Sequence, residues 1–129
     1  MDPAHWSVVT GDGTRPAWPE GTFDRVLVDA PCSGLGALRR RPESRWRRRP
    51  EDLPELVDLQ RRLLHSALDS VRSGGVVVYA TCSPVRAETV EVVDAVTADR
   101  SDVAKSADLQ LWPHLDGCDA MFAATLRRT

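Results

Sequence analysis

Long hydrophobic runs are missing from this chain: nowhere in its 129 residues does an apolar stretch approach the roughly 20 needed to cross a bilayer. A membrane partner is therefore not expected. The opening "MDPAHWSVV" lacks the basic and apolar regions of a secretory signal, which points to the cytoplasm. Cysteine is scarce and odd in number: Cys32, Cys82 and Cys118 cannot make the even framework of a small secreted fold. In a reducing compartment each is a free thiol, either buried as a small side chain or reactive. The histidines (His5, His65, His114) are dispersed and share no ligand spacing with the cysteines, so no metal site is expected. Lysine is nearly absent, since Lys105 is the single lysine among 17 basic residues.

What is present is unevenly distributed. The length suits one domain with a modest core, and 42% hydrophobic with 28% charged residues is ordinary for a globular protein. The net charge of −2 hides a basic block, "RRRPESRWRRR" at residues 39–49, with seven arginines and one glutamate. Such density with Trp46 inside it suits a polyanion, because arginine pairs with phosphate and tryptophan stacks on bases. The plainer alternative is a solvated loop.

Hydrophobic patterning predicts alternating strands and helices. "SVV" (7–9) reads as a short strand, followed by the polar turn "TGDGTRP". "RVLVD" (25–29) is a compact run bounded by turn residues, as in a buried strand. "EDLPELVDLQRRLLHSALDSVRSGG" reads as a helix with Leu53, Leu56, Val57, Leu63, Leu64, Ala67, Leu68 and Val71 on one face. Asp52 with Glu55 would cap its start, and Gly74 and Gly75 would end it. "VVVYAT" (76–81) is the strongest strand, residues 85–96 form a second helix, and 109–112 and 120–127 are two further strands. This alternation argues for a parallel α/β sheet with the two strong strands adjacent.

Both strong strands end alike, in "VLVDAPCSGLG" (26–36) and "GGVVVYATCSP" (74–84). Open α/β sheets bind ligands at the carboxyl edge of their strands, so Cys32 and Cys82 could face one pocket.

"DAPCSGLG" and "YATCSP", joined by "RRRPESRW" and an amphipathic helix, resemble the bacterial Sun-type rRNA cytosine-5 methyltransferases. The likeness starts at "GDGT" and reaches "DGCDAMFAATLRR", covering essentially the whole chain. It implies an α/β, Rossmann-like class I fold that uses S-adenosylmethionine, and an RNA substrate, ribosomal by family. Carbon 5 of cytosine is a poor nucleophile until a thiolate adds to carbon 6, which is covalent catalysis by an activated cysteine. By resemblance Cys82 is that nucleophile and Cys32 assists product release. Asp29 would hydrogen-bond the cytosine or touch the cofactor, Asp12 would contact the adenine portion of the cofactor, and Pro31 would shape the turn that presents Cys32. Arg39, Arg40, Arg41 and Arg45, with Trp46, would hold the RNA while the target base turns out of its stack. Without the resemblance, Asp12 and Asp29 read as turn caps. Cys118 reads as a loop or packing residue.

Two family elements have no counterpart here, a glycine-rich loop after the first strand and an acidic residue ending the second. With Met1 eleven residues before Asp12, the expectation is residues 1–129 as the C-terminal part of a catalytic domain, its N-terminal cofactor-binding strands missing. The isolated chain is then expected to bind S-adenosylmethionine little or not at all, unless a partner chain supplies the missing half. "RVLVD" would become an open apolar sheet edge. The alternative function is a non-catalytic RNA-binding remnant using residues 39–49. A redox pair of Cys32 and Cys82 is a weaker third reading, for no C-x-x-C motif supports it.

Overall fold

The computed structural model describes residues 5–129, so the part of the N-terminal reading that falls on residues 1–4 lies outside it. Four strands form one sheet: β1 (Phe23–Asp29), β2 (Val71–Thr81), β3 (Val103–Leu111) and β4 (Met121–Arg128). Helices α1 (Ser44–Arg47) and α2 (Leu53–Ser70) separate β1 from β2, α3 (Val90–Asp99) joins β2 to β3, and the short α4 (Pro113–Asp116) precedes β4. The strand order is β1-β2-β4-β3.

Only β1 and β2 pair in parallel; β4 runs antiparallel to both β2 and β3. The sheet is therefore mixed, and the expectation of a parallel sheet holds for its first pair alone. The reason lies in the last connection. Between β3 and β4 stand only the turn of α4 and its flanking residues, too few for a parallel crossover, which takes a dozen or more.

The core lies between the sheet and helices α2 and α3. Tyr79, Val77, Phe122, Ala124 and Leu126 from the sheet meet Leu64, Leu68, Val92, Val93 and Val96 from the helices. Alternation along β4 fits this one-sided burial, with Phe122, Ala124 and Leu126 inward.

The glycines do something other than end the helix. α2 stops at Ser70, and Val71 is already extended and fully buried. Gly74 (φ 76°) and Gly75 lie in an irregular start of β2, where the register jumps from Phe23 opposite Val71 to Arg25 opposite Val76. A Cβ on Gly75 would lie 2.7 Å from the Arg72 carbonyl, so the bulge needs glycine there. The helix end is held instead by Arg128, which donates to the carbonyls of Leu68, Asp69 and Val71. Arg100 donates to His65 O and Asp69, and both arginines meet on Asp102.

Several boundaries also differ from expectation. Residues 7–9 form no strand, and β3 begins at Val103, well before residue 109. Asp52 makes no side-chain bond at the start of α2; its carboxylate accepts the Arg49 N–H and closes the turn Pro50–Asp52. The second helix starts as a tight turn at Arg86–Glu88 and becomes α-helical at Val90.

Candidate active site

Register decides where the cysteines go. Asp29 stands opposite Ala80, and the Ala30 N–H donates to Ala80 O at 2.9 Å, so both chains leave the sheet at one level. Cys32 and Cys82 follow within three residues, and their Sγ atoms lie 3.5 Å apart. Cys32 is buried and Cys82 half-buried. Burial pushes the Cys32 thiol up to about 12, and the nearby Cys82 adds to the effect.

The two thiols open into a cleft of about 490 Å³. Asp29 and Pro31 form part of its wall, and Arg40, Arg41 and Arg48 supply positive charge. Arg48 reaches towards the Cys32 carbonyl at 3.5 Å. Gly36 ties the Cys32 loop to Cys82 and to the segment before β4. Its N–H donates to Cys82 O at 3.0 Å, its carbonyl accepts from Ala120 N–H at 2.9 Å, and a Cβ would fall 2.0 Å from Ala120 O. The backbones of three segments thus pass at a distance only glycine permits.

Behind the cysteines lies a group that the sequence reading did not single out. Ser33 and Ser83, each one residue after a cysteine, both donate to the carboxylate of Glu88, a fully buried residue. Gln60 of α2, also fully buried, donates to Glu88 and to Pro31 O. A repeated Cys-Ser pair, the second five residues before a glutamate, was visible, but a polar core cluster has no periodic signature.

A family model for the 16S rRNA methyltransferase RsmB/F matches residues 1–127. The chain belongs to the RsmB/F family of 16S rRNA methyltransferases. Rv1407 of Mycobacterium tuberculosis is 54% identical over 121 residues, covering 82% of this chain and 26% of that protein. The ribosomal RNA small subunit methyltransferase B of Pectobacterium atrosepticum is 39% identical, covering 95% of this chain and 30% of its own length. Among solved structures, PH0851 superimposes with a TM-score of 0.81 at 30% identity, over 84% of this chain and 27% of the other. NSun6 from Pyrococcus horikoshii, solved with SFG, gives 0.69 at 26% identity over 79% and 29%. The fold is thus that of the RsmB/F proteins, and this chain spans about 30% of the length of such curated relatives.

The expected RsmB/F site residues do not all meet in one place. Cys32, Cys82, Asp29, Pro31, Arg40 and Arg41 line the one cleft. Arg39 and Arg40 also pair with Asp119 before β4, at 3.7 and 2.6 Å, so part of their charge is met within the fold. Arg45 and Trp46 ride on α1, the guanidinium 5.3 Å from the ring and Trp46 80% exposed. Asp12 does not line the cleft; it is exposed, and Thr14 N–H and Oγ1 bind its carboxylate and hold it below the usual carboxylate range. The Asp12 turn is pinned to α2, where Ser66 Oγ donates to Gly13 O at 2.7 Å.

Proposed function

We propose that this chain is the base- and RNA-facing part of an rRNA cytosine-5 methyltransferase, with Cys82 as nucleophile and Cys32 as its assistant. The observation that carries this reading is the 3.5 Å approach of two thiols at the ends of paired parallel strands. One thiol adjacent to a base would serve addition alone, whereas two allow addition and release to be divided.

The roles are those the family resemblance implies, and the burial of the two thiols is compatible with them. Burial raises the Cys32 thiol and so disfavours its thiolate, which supports Cys32 as the assistant. Cys82 is the less buried of the two, and it shares its cleft with Arg40, Arg41 and Arg48. The Cys82 sulfur adds to carbon 6 of cytosine, and the electron pair of the 5,6 double bond moves to carbon 5. After carbon 5 is methylated and loses its proton, the C6–S bond breaks and the Cys82 thiolate departs. The Cys32 S–H, 3.5 Å away, hydrogen-bonds to that thiolate and so promotes release. Asp29, exposed at the cleft wall, would bind the amino edge of the base.

S-adenosylmethionine, when bound, supplies an electrophilic methyl group. Of the family's donor set this chain carries Asp29 and Pro31 at the cleft and Asp12 in its turn. The fit is partial, because Asp12 is turned to Thr14 and the glycine-rich loop is not among these residues. The free edge of β1, with Leu27 68% exposed, would receive the remaining cofactor-binding strands, from the same polypeptide or from a partner. Arg41, Arg45 and Trp46 would grip the RNA strand beside the cleft.

The test is methyl transfer to small-subunit rRNA by this segment joined to cofactor-binding strands. Cys82→Ala should abolish transfer, and Cys32→Ala should accumulate a denaturation-resistant protein–RNA adduct. Methylation that survives Cys82→Ala would refute the assignment. Salt-sensitive RNA binding with no transfer by the unaltered protein would favour the non-catalytic reading.

A further inference from the structure

We infer that Glu88 is a positioning residue, a buried carboxylate clasp that sets the spacing between the Cys32 and Cys82 sulfurs. Its Oε1 accepts the Ser33 N–H at 2.7 Å and Gln60 Nε2 at 3.2 Å. Its Oε2 accepts the Ser33 and Ser83 hydroxyls, both at 2.6 Å. An ionised carboxylate has about four acceptor positions, and here all are filled, by donors from both cysteine loops and from α2. The Glu88 carbonyl accepts the buried Tyr79 hydroxyl at 2.8 Å, which fixes the residue's own backbone against β2.

The placement explains why serine follows each cysteine. Ser33 and Ser83 are covalent neighbours of the two thiols, so a bond that fixes each serine fixes the adjacent Cα. Gln60 extends the hold one residue to the other side of Cys32, through Pro31 O at 2.9 Å. Charge-assisted bonds are about twice as strong as neutral ones, and in a dry interior they resist stretching most where the alternative is an unpaired charge. Without the clasp, the two loops would be joined near the sulfurs through Gly36, whose N–H bonds Cys82 O, and through the longer Ser33–Ser83 hydroxyl contact at 3.5 Å. Glu88 is not itself among the residues lining the cleft, and it acts through the loops that are.

What the clasp does for methyl transfer rests on the proposed cytosine chemistry, but its geometry can be measured without RNA or methyl donor. The probe is the Cys32–Cys82 disulfide formed against a glutathione redox buffer, in a Cys118→Ser background. Oxidised glutathione takes up the two electrons and two protons of the thiol pair and leaves as two reduced molecules. A disulfide bond is about 2.05 Å long, so the sulfurs, 3.5 Å apart, must approach to form it. The effective concentration of one thiol at the other then reports how firmly the loops are held in register.

Glu88→Ala should lower that effective concentration by at least about tenfold. The double variant Ser33→Ala, Ser83→Ala keeps the carboxylate and its bond from the residue-33 N–H but removes both hydroxyl bonds, releasing the Cys82 loop and loosening the Cys32 loop, and should lower it as well. Val96→Ala, a core truncation away from the cleft, serves as the control: it should cost stability in urea unfolding yet leave the effective concentration unchanged. If Glu88→Ala does not fold, the serine double variant alone decides. A folded variant of either kind with the parent value, or a parent protein that forms no Cys32–Cys82 disulfide, overturns the inference.

Discussion

The Cys32 and Cys82 sulfurs stand 3.5 Å apart although 50 residues separate them in sequence. Their environments differ: Cys32 is buried, which pushes its thiol up, and Cys82 is half-buried. Alkylation should therefore discriminate between them. Iodoacetamide near neutral pH is expected to modify Cys82 well ahead of Cys32, as read by peptide mass spectrometry. The raised Cys32 value also carries a stability consequence. Its ordinary value is about 8.5, so its contribution is whole below that pH and is lost as pH rises towards about 12. Cys32→Ala should flatten this alkaline loss of stability.

Gly36 is the tightest backbone passage at the site. Gly36→Ala places a Cβ 2.0 Å from Ala120 O and 2.8 Å from the Cys82 carbonyl group. Both neighbours are backbone, which cannot rotate away. The expected cost is about 2–3 kcal/mol in chemical denaturation, at the upper end of overpacking effects. Gly11 has open space where its Cβ would be, so Gly11→Ala should be nearly neutral.

At the opposite end of the sheet, Asp102 receives Arg100 and Arg128 and its carboxyl is held at about 2. Hydrogen bonding from Arg100 is the main cause. A depressed carboxylate stabilises the fold above its unfolded value near 3.9, and that contribution is lost as pH falls towards about 2. Asp102→Asn should remove part of the acid sensitivity measured by thermal unfolding between about pH 5 and pH 2. The carboxylate is partly exposed, so the effect should be modest and weaken with added salt.

The basic segment makes its own prediction about RNA. Arg40 is bonded to Asp119 at 2.6 Å, whereas Arg45 and Trp46 stand out from α1 and are engaged with each other. Replacing Arg45 and Trp46 should weaken RNA binding more than replacing Arg40, and the Arg45 loss should reduce the salt dependence by about one unit of slope. Filter binding across a salt series measures both. Equal losses would contradict the division of labour.

Much of this architecture could be read in advance where local chemistry decides it. "RVLVD" and "VVVYAT" are β-branched and compact, and their adjacency and shared exit level agree with a right-handed crossover. The cysteines therefore met as expected. Other features rest on tertiary contacts with no local signal. Gly74 and Gly75 look like a helix stop but serve a strand bulge, because Arg128, more than 50 residues later, takes over the end of α2. Gln60 and Glu88 are polar residues without a local signal for burial, and the fold buries both against the cysteine loops. β4 is antiparallel because the connection from β3 is short, a cause that the residues of β4 themselves do not record.

The central claim, that Cys82 attacks the base, is tested most directly with RNA containing 5-fluorocytidine. Fluorine replaces the proton that must leave carbon 5, so the methylated adduct cannot release its sulfur. The intact methyltransferase containing this segment, incubated with this RNA and S-adenosylmethionine, should yield a covalent complex that survives denaturation. Peptide mass spectrometry should place the modification on Cys82, and Cys82→Ala should eliminate it. An adduct on Cys32, or a complex that persists in Cys82→Ala, would contradict the account.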